Sequence, residues 1–370
     1  MHYGLDIGGT KIAPAVFDAS LGCIEQWQTA TPVNDYDAFL AIVCEQVARA
    51  DMLAAKRPGN EHDAAKGNTM LCLGSVGIAL PGVIQADGRV LSSNVPCLNG
   101  RFVADDLARR LGRPVAIGND CRCFTLSEAM LGAGRGHQRI LGVILGTGLG
   151  GGICIDGKLI LGAQCLAGEF GHLGLAASVV MRHQLPLFDC GCGLKGCAET
   201  YVSGTGLGRL YRHFGGAADT YQWLDAYRLG QMPAVQAFDA YVDALGSVLA
   251  GQILSMDPDC IVFGGGLSEV PEIMAAIPDA TARHLFNGVS LPEFKVAEFG
   301  AVSGVRGAAL LGRELMFGRE LKMGQDLSAY SPELIANSPE PIANSPEPGV
   351  NSPEPEANCA QPTLLRGKAS

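Results

Sequence analysis

Four side chains between residues 168 and 199 have the types and spacing of a metal site. His172 closes the run Gly168-Glu169-Phe170-Gly171-His172, and Cys190, Cys192 and Cys197 follow after a loop. One imidazole and three thiolates make a full tetrahedral ligand set for zinc. Glycines stand between the cysteines, leaving little room for helix or strand and suiting a tight knuckle round an ion. Four protein ligands leave no open position for a reacting water, so the expected zinc is structural. Glu169 and Glu199 flank the set without being needed by it. A fixed metal shell would determine where such neighbours sit.

Two glycine-rich turns have the chemistry of phosphate binding. In Asp6-Ile7-Gly8-Gly9-Thr10-Lys11 a strand delivers an acid, and two glycines allow the backbone to approach an anion. A hydroxyl and an ammonium come next. Asp6 is positioned to hold Mg²⁺ directly or through water. An ordinary hairpin with a surface lysine fits this run equally well when it is taken alone. The second turn, Gly146-Thr147-Gly148-Leu149-Gly150-Gly151-Gly152, formally contains the dinucleotide fingerprint. That fingerprint must open a helix whose N-terminus meets the pyrophosphate. Here Ile153-Cys154-Ile155-Asp156-Gly157 leads into another hairpin, so the run is expected to be a phosphate-gripping tip. Gly265, within the run 264–266, lies where a nucleoside would pack.

Asp120 follows Asn119 between a short strand and a helix. It reads either as an N-cap or as the base that takes a proton from an alcohol attacking phosphorus. The two phosphate tips favour the base.

The elements that must carry these groups alternate between strand and helix. Strands are expected at 3–8, 12–17, 71–80, 115–117, 140–145 and 260–263, with a hairpin at 153–160 turning on Asp156-Gly157. Helices are expected at 36–56, 102–111, from Asp120 through Leu131, over most of 205–256, and from Gly304 onward. Residues 57–68 read as a loop. Asn-Ser-Pro-Glu-Pro recurs at 337–341, 344–348 and 351–355. Proline at that density forbids helix and sheet, and the repeat has too few apolar groups to fold, so 325–370 is expected to be a disordered tail. Five glutamates between 331 and 356 supply half of the net charge of −10.

That charge and the lack of a basic cluster argue against nucleic-acid binding. No apolar run approaches the roughly 20 residues of a membrane span. Thirteen cysteines, most scattered through apolar segments, fit a reducing compartment. With no charged leader ahead of the first strand, a cytoplasmic protein is expected.

Taken together, the residues resemble the ROK family of the actin-like sugar kinase superfamily. The matching runs are 6–11, Leu80-Pro81-Gly82, Asn119-Asp120, 145–152, 168–172 and the Cys-x-Cys-Gly-x-x-Gly-Cys-x-Glu signature at 190–199. They stand in family order and cover about residues 1–318. Within the family the resemblance is greatest to bacterial N-acetyl-D-glucosamine kinases, through 36–40, 94–96, 126–129, 143–148 and 201–204. It implies a two-domain α/β fold of the actin-like, ribonuclease H-like type. Residues 1–118 would form the smaller domain, completed by a helix at 302–318, and 119–301 the larger one.

The resemblance also implies transfer of phosphate from MgATP to the 6-hydroxyl of N-acetyl-D-glucosamine. Asp120 would be the base, and Asn94, Asn119, Asp120, Glu169, His172 and Glu199 would hold the sugar. Nucleotide contacts would come from Gly4, Leu5, Asp6, Ile7, Gly8, Gly9, Thr10 and Lys11, and from Thr147, Gly148, Leu149, Gly150, Gly151, Gly152, Ile153, Cys154, Ile155 and Gly265. His172, Cys190, Cys192 and Cys197 would hold zinc, and a homodimer is expected. Glucokinase or N-acetylmannosamine kinase activity is the alternative within the family. A sugar-responsive repressor is a remote one, since such relatives carry a DNA-binding segment ahead of the first tip and the tip here starts at residue 6. One departure stands beside the base: the family pattern is Ala-Asn, and this chain has Cys121-Arg122.

Overall fold

A computed structural model describes residues 1–56, 73–92, 94–217 and 220–323. The tail at 325–370, the loop at 57–68 and the start of the strand expected from residue 71 lie outside the described residues. Two sheets organise the rest, and each is built to the same plan. The first has the order β3-β2-β1-β5-β8, formed by Cys23–Gln26, Lys11–Phe17, His2–Ile7, Ser75–Leu80 and Val115–Asn119. A further strand, β4 (Thr29–Ala30), pairs with β2. A two-stranded ribbon, β6 (Val83–Ile84) and β7 (Val90–Leu91), follows β5. The second sheet has the order β11-β10-β9-β12-β13, formed by Lys158–Leu159, Leu149–Ile155, Arg139–Leu145, Cys260–Gly264 and Glu293–Val296. In each, an antiparallel hairpin (β1–β2, β9–β10) is extended by two parallel strands. Parallel pairing needs crossover connections, and helices supply them.

Those helices begin and end where local chemistry allows. Asp35 caps Tyr36–Ala55, its carboxylate accepting from the Ala38 amide at 3.0 Å. Val103–Leu111 stops at Gly112, which adopts φ 66°. The N-terminal core packs Tyr3, Leu5, Ile7, Phe39, Val43, Ile78 and Leu107. The second core gathers Leu141, Val143, Tyr201, Leu207, Trp223, Tyr241, Leu245 and Phe263 around the helix Met232–Met256. No helix among the described residues is long and apolar enough to cross a membrane.

The C-terminal helix, Ser303–Met323, runs against β1, β5, β8 and the helix Asp120–Met130. Glycine makes this possible at the backbone level. A β-carbon on Gly77 would overlap the Ala308 carbonyl, one on Gly4 the Val305 carbonyl, and one on Gly307 the Cys123 carbonyl. Gly77→Ala is therefore expected to destabilise the protein by at least about 1–3 kcal/mol. Gly251→Ala, at a helical position with open space around it, should be neutral or stabilising by up to about 1 kcal/mol. Paired chemical-denaturation curves read both, and equal stability of the two variants would contradict the close approach.

Candidate active site and metal centre

The first turn spans 8–10, between β1 and β2. Its Gly8 amide donates to the Lys11 carbonyl at 2.8 Å, and the Thr31 hydroxyl donates to the Gly8 carbonyl at 2.8 Å. The Gly8 amide is thus spent on the hairpin and is not free for an anion. The amides of Gly9 and Thr10 have no acceptor among the described residues. Gly9 also abuts Asn94, where a β-carbon would stand 2.8 Å from the carbonyl oxygen. Gly4, Leu5 and Ile7 lie inside β1, with Leu5 and Ile7 in the core and Gly4 under Val305. The side chains of Leu5 and Ile7 thus face protein, and Lys11 is the exposed side chain that follows the turn.

The second turn is shorter than the glycine run suggests. It comprises 146–148, with the Gly146 amide donating to the Gly148 carbonyl at 3.1 Å. Residues from Leu149 to Ile155 are strand β10. Gly150, Gly151 and Gly152 are glycine because Cys121, Phe170 and Thr125 occupy the space above them. Cys154 is fully buried. The amides of Thr147 and Gly148 have no acceptor among the described residues. Gly265, at φ 83°, packs where a side chain would meet the Leu145 carbonyl, at the root of this turn.

Asn119, not Asp120, caps the helix Asp120–Met130: its side-chain oxygen accepts from the Arg122 amide at 3.1 Å. Being the first helical residue releases the Asp120 carboxylate from capping duty. Its Oδ1 accepts from the Cys121 amide at 2.9 Å and from the Asn119 side-chain amide at 3.0 Å. Asn119 also donates to the Gly82 carbonyl at 2.9 Å, which ties it to the Leu80-Pro81-Gly82 turn. The Cys121 thiol is a further hydrogen-bond neighbour of the carboxylate. Burial raises the Asp120 pKa above the usual carboxylate range, against the pull of those hydrogen bonds. Asp6 is raised from 3.8 to about 6, chiefly by burial and next by the negative charge of Asp120, with Lys11 opposing. A buried carboxylate raised by a second one nearby forms a site that a divalent cation would relieve.

Glu169, His172 and Glu199 gather on the far side of Asp120. Burial raises Glu169 above the usual carboxylate range; Arg122 and His172 oppose that shift, and Asp120 and Glu199 add to it. Glu199 accepts from the Leu149 amide at 3.1 Å through Oε2, while Oε1 lies 3.7 Å from the Cys190 sulfur. The His172 Nδ1 is 3.6 Å from Cys190 Sγ, and Cys192 Sγ is 3.6 Å from Cys197 Sγ. All four donor atoms fall within 4.8 Å of one another. Donors at zinc bond lengths of about 2.0–2.3 Å stand roughly 3.5 Å or more apart in a tetrahedron, so the set fits the ion. The knuckle is made of turns, with Gly193 and Gly196 at φ 91° and 73°.

Two residues of the neighbourhood escaped the sequence reading of roles. Arg122 is 3% exposed and meets Cys165 and Glu169. Its departure from the family pattern was the signal available. Glu128 is fully buried and accepts from the amides of Ala133, Glu298 and Phe299, and from the Ser303 hydroxyl. Nothing local in the sequence indicates those partners.

A hairpin-plus-parallel sheet built twice, with a glycine turn at the tip of each hairpin, defines a class, and the family model agrees. The chain belongs to the ROK family, whose model matches residues 2–314, and its fold is that of the family's sugar kinases. It is 61% identical over 319 residues to the N-acetylgalactosamine kinase AgaK of Shewanella sp. (strain ANA-3), covering 86% of this chain and 98% of that protein. It is 41% identical over 322 residues to an N-acetyl-D-glucosamine kinase of Escherichia coli O9:H4 (strain HS), covering 84% and 99%. Among solved structures, a ROK hexokinase from Thermus thermophilus superposes with a TM-score of 0.73 at 29% identity, covering 86% and 99%. A ROK glucokinase from Streptomyces griseus, in complex with glucose and AMPPNP, gives 0.66 at 29%, covering 85% and 99%.

Because the folded pKa of Asp6 lies above its ordinary value, the native state holds the extra proton. The carboxylate therefore lowers stability progressively as pH rises from about 4 to about 6, and fully above that window. Asp6→Asn is expected to raise the melting temperature of nucleotide-free, Mg²⁺-free protein above pH 7, by an amount that shrinks as pH falls through the window. Thermal melts across pH check this, and a gain independent of pH would refute it.

Proposed function

We propose that the protein transfers the γ-phosphoryl group of ATP to the 6-hydroxyl of an N-acetylhexosamine. The observation that carries this reading is the Asp120 carboxylate. It is half-buried, held by two hydrogen bonds on Oδ1, and close enough to Asp6 for its charge to raise the Asp6 pKa. N-acetylgalactosamine is the favoured substrate, supported by the 61% identity to a kinase named for that sugar. N-acetylglucosamine is the second reading, supported by relatives at 41% and by the motifs that first suggested it. The two sugars differ only in the configuration of the 4-hydroxyl.

In this mechanism the sugar lies between Asn119, Glu169, His172, Glu199 and Asn94, with its 6-hydroxyl at Asp120 Oδ2. The hydroxyl proton passes to Oδ2 as the oxygen bonds to phosphorus and the bond to the ADP leaving group breaks. A carboxylate whose pKa is raised by burial is a stronger base than an exposed one. The amides of Gly9, Thr10, Thr147 and Gly148 hold the phosphate oxygens. Mg²⁺ arriving with ATP would neutralise phosphate charge, and Asp6 is the carboxylate placed to meet it directly or through water. We read the halves 1–118 with 302–318, and 119–301, as lobes that close on the substrates and exclude water. His172, Cys190, Cys192 and Cys197 would hold a structural zinc that fixes the loop carrying Glu199.

An ADP-release assay over N-acetylgalactosamine, N-acetylglucosamine, N-acetylmannosamine and glucose is expected to give the highest kcat/KM on N-acetylgalactosamine. Asp120→Asn should lower kcat by about 10²-fold or more. Undiminished turnover by that variant would end the base assignment, and a preference for glucose would overturn the substrate class. Cys192→Ser should lose zinc by elemental analysis and raise the sugar KM or unfold the loop. Zinc-free protein with wild-type kinetics would refute the scaffold role.

A further inference from the structure

Arg122 sits two residues past the base, on the buried side of the same helix. Its Nη2 donates to the Cys165 carbonyl at 2.5 Å and lies 3.6 Å from Glu169 Oε1. Cys165 is bent into the left-handed region, φ 56°, within a turn closed by its amide on the Gly162 carbonyl. A non-glycine residue held there costs on the order of 1 kcal/mol or more, and the charged hydrogen bond to its carbonyl is an available offset. The Ala167 amide then bonds the Leu161 carbonyl and the Glu169 amide bonds the Leu166 carbonyl, so the loop 161–168 closes on itself and ends at Glu169. The guanidinium is thus the direct tie between this loop and the base helix.

It is also incompletely satisfied. Arg122 Nε is buried and has no acceptor, although the side chain is only 3% exposed. The Nε of Arg113, Arg139 and Arg306 is unpaired in the same way, so what sets Arg122 apart is its Nη2, which reaches the loop carbonyl and the carboxylate that the proposed reading gives to the sugar.

We infer that Arg122 is a positioning residue for sugar selection. It locks Glu169 and the loop 161–168 against the Asp120 helix, and so sets which configuration of the N-acetylhexosamine hydroxyls is accepted. Both contacts are made by the one Nη2 nitrogen at the end of the side chain, and the shorter lysine could supply the charge without the same reach. An uncharged side chain of similar length could fill the space and do neither. The inference rests on the kinase reading above, and acts on the sugar and not on ATP.

The test uses the full-length enzyme with Arg122→Met, Arg122→Lys, Glu169→Gln and the double variant Arg122→Met/Glu169→Gln. Arg122→Met is expected to raise the sugar KM by about tenfold, leave the ATP KM within about twofold, and flatten the kcat/KM ratio of N-acetylgalactosamine to N-acetylglucosamine by about fivefold. Arg122→Lys should recover part of the loss. Since Arg122 acts through Glu169, adding Arg122→Met to Glu169→Gln should change the sugar KM little. Fully additive effects, an unchanged epimer ratio, or parallel rises in both KM values would overturn the inference. If Arg122→Met does not fold, the lysine variant decides by the same ratio. A wild-type enzyme that phosphorylates none of the four sugars defeats the kinase reading itself, which separates that failure from this one.

Discussion

The site depends on backbone packed against backbone. The C-terminal helix touches β1 and β5 so closely that Gly4 and Gly77 have no room for a β-carbon, and its own Gly307 presses on the Cys123 carbonyl of the base helix. Asp6 lies one residue before the end of β1, and Gly304 of the C-terminal helix stands beside it. Asp120 begins the helix on which Gly307 rests. One late element thereby packs against the elements that carry both Asp6 and Asp120. Glu128 anchors the junction, accepting bonds from partners about 170 residues away in sequence. A buried carboxylate without such donors would cost several kcal/mol. Charge-assisted bonds to three amides and a hydroxyl offset that cost and specify a single docking of the helix.

The doubled sheet plan explains why two turns of different sequence end up with equivalent work. Each hairpin precedes two parallel strands, so its turn emerges at one end of its sheet. The first turn uses one of its own amides to close, and the second does the same with Gly146. What remains in both is a pair of amides followed by a strand. The glycines beyond the second turn serve another purpose: they let the base helix and Phe170 press onto β10. A long glycine run was therefore read as one functional unit although it contains two, a turn and a flat strand surface.

Much of the architecture was legible because it is local. The strands at 2–7, 11–17, 139–145 and 260–264 are apolar runs bounded by glycine, and the cysteine spacing announces the knuckle whose sulfurs the fold brings together. β3, β4, β6, β7 and β13 escape such a reading, being short strands whose existence depends on the neighbour they pair with. The short helix Ala177–Arg182 carries too little periodicity to be seen. Asn119 and Asp120 exchanged capping roles because both types cap well, and only backbone geometry decides between them. The Arg122–Glu169 approach and the Glu128 hub are long-range contacts between polar residues, which neither hydropathy nor spacing encodes.

Glu199 then shows how the Cys/His cluster can influence chemistry it does not touch. One of its oxygens holds the Leu149 amide, at the foot of the second turn, and the other rests against Cys190. An ionised carboxylate has about four lone-pair positions, so these two contacts leave capacity for sugar hydroxyls. A shift of the knuckle would move Glu199, and through the Leu149 amide it would also move Thr147 and Gly148. On the proposed kinase reading, sugar contact and phosphate contact would thus be joined through one side chain, whose place is set by the loop of cysteines that precedes it. Disorder in that loop would then reach both substrates, whereas the tie made by Arg122 runs to Glu169 and to the Cys165 carbonyl.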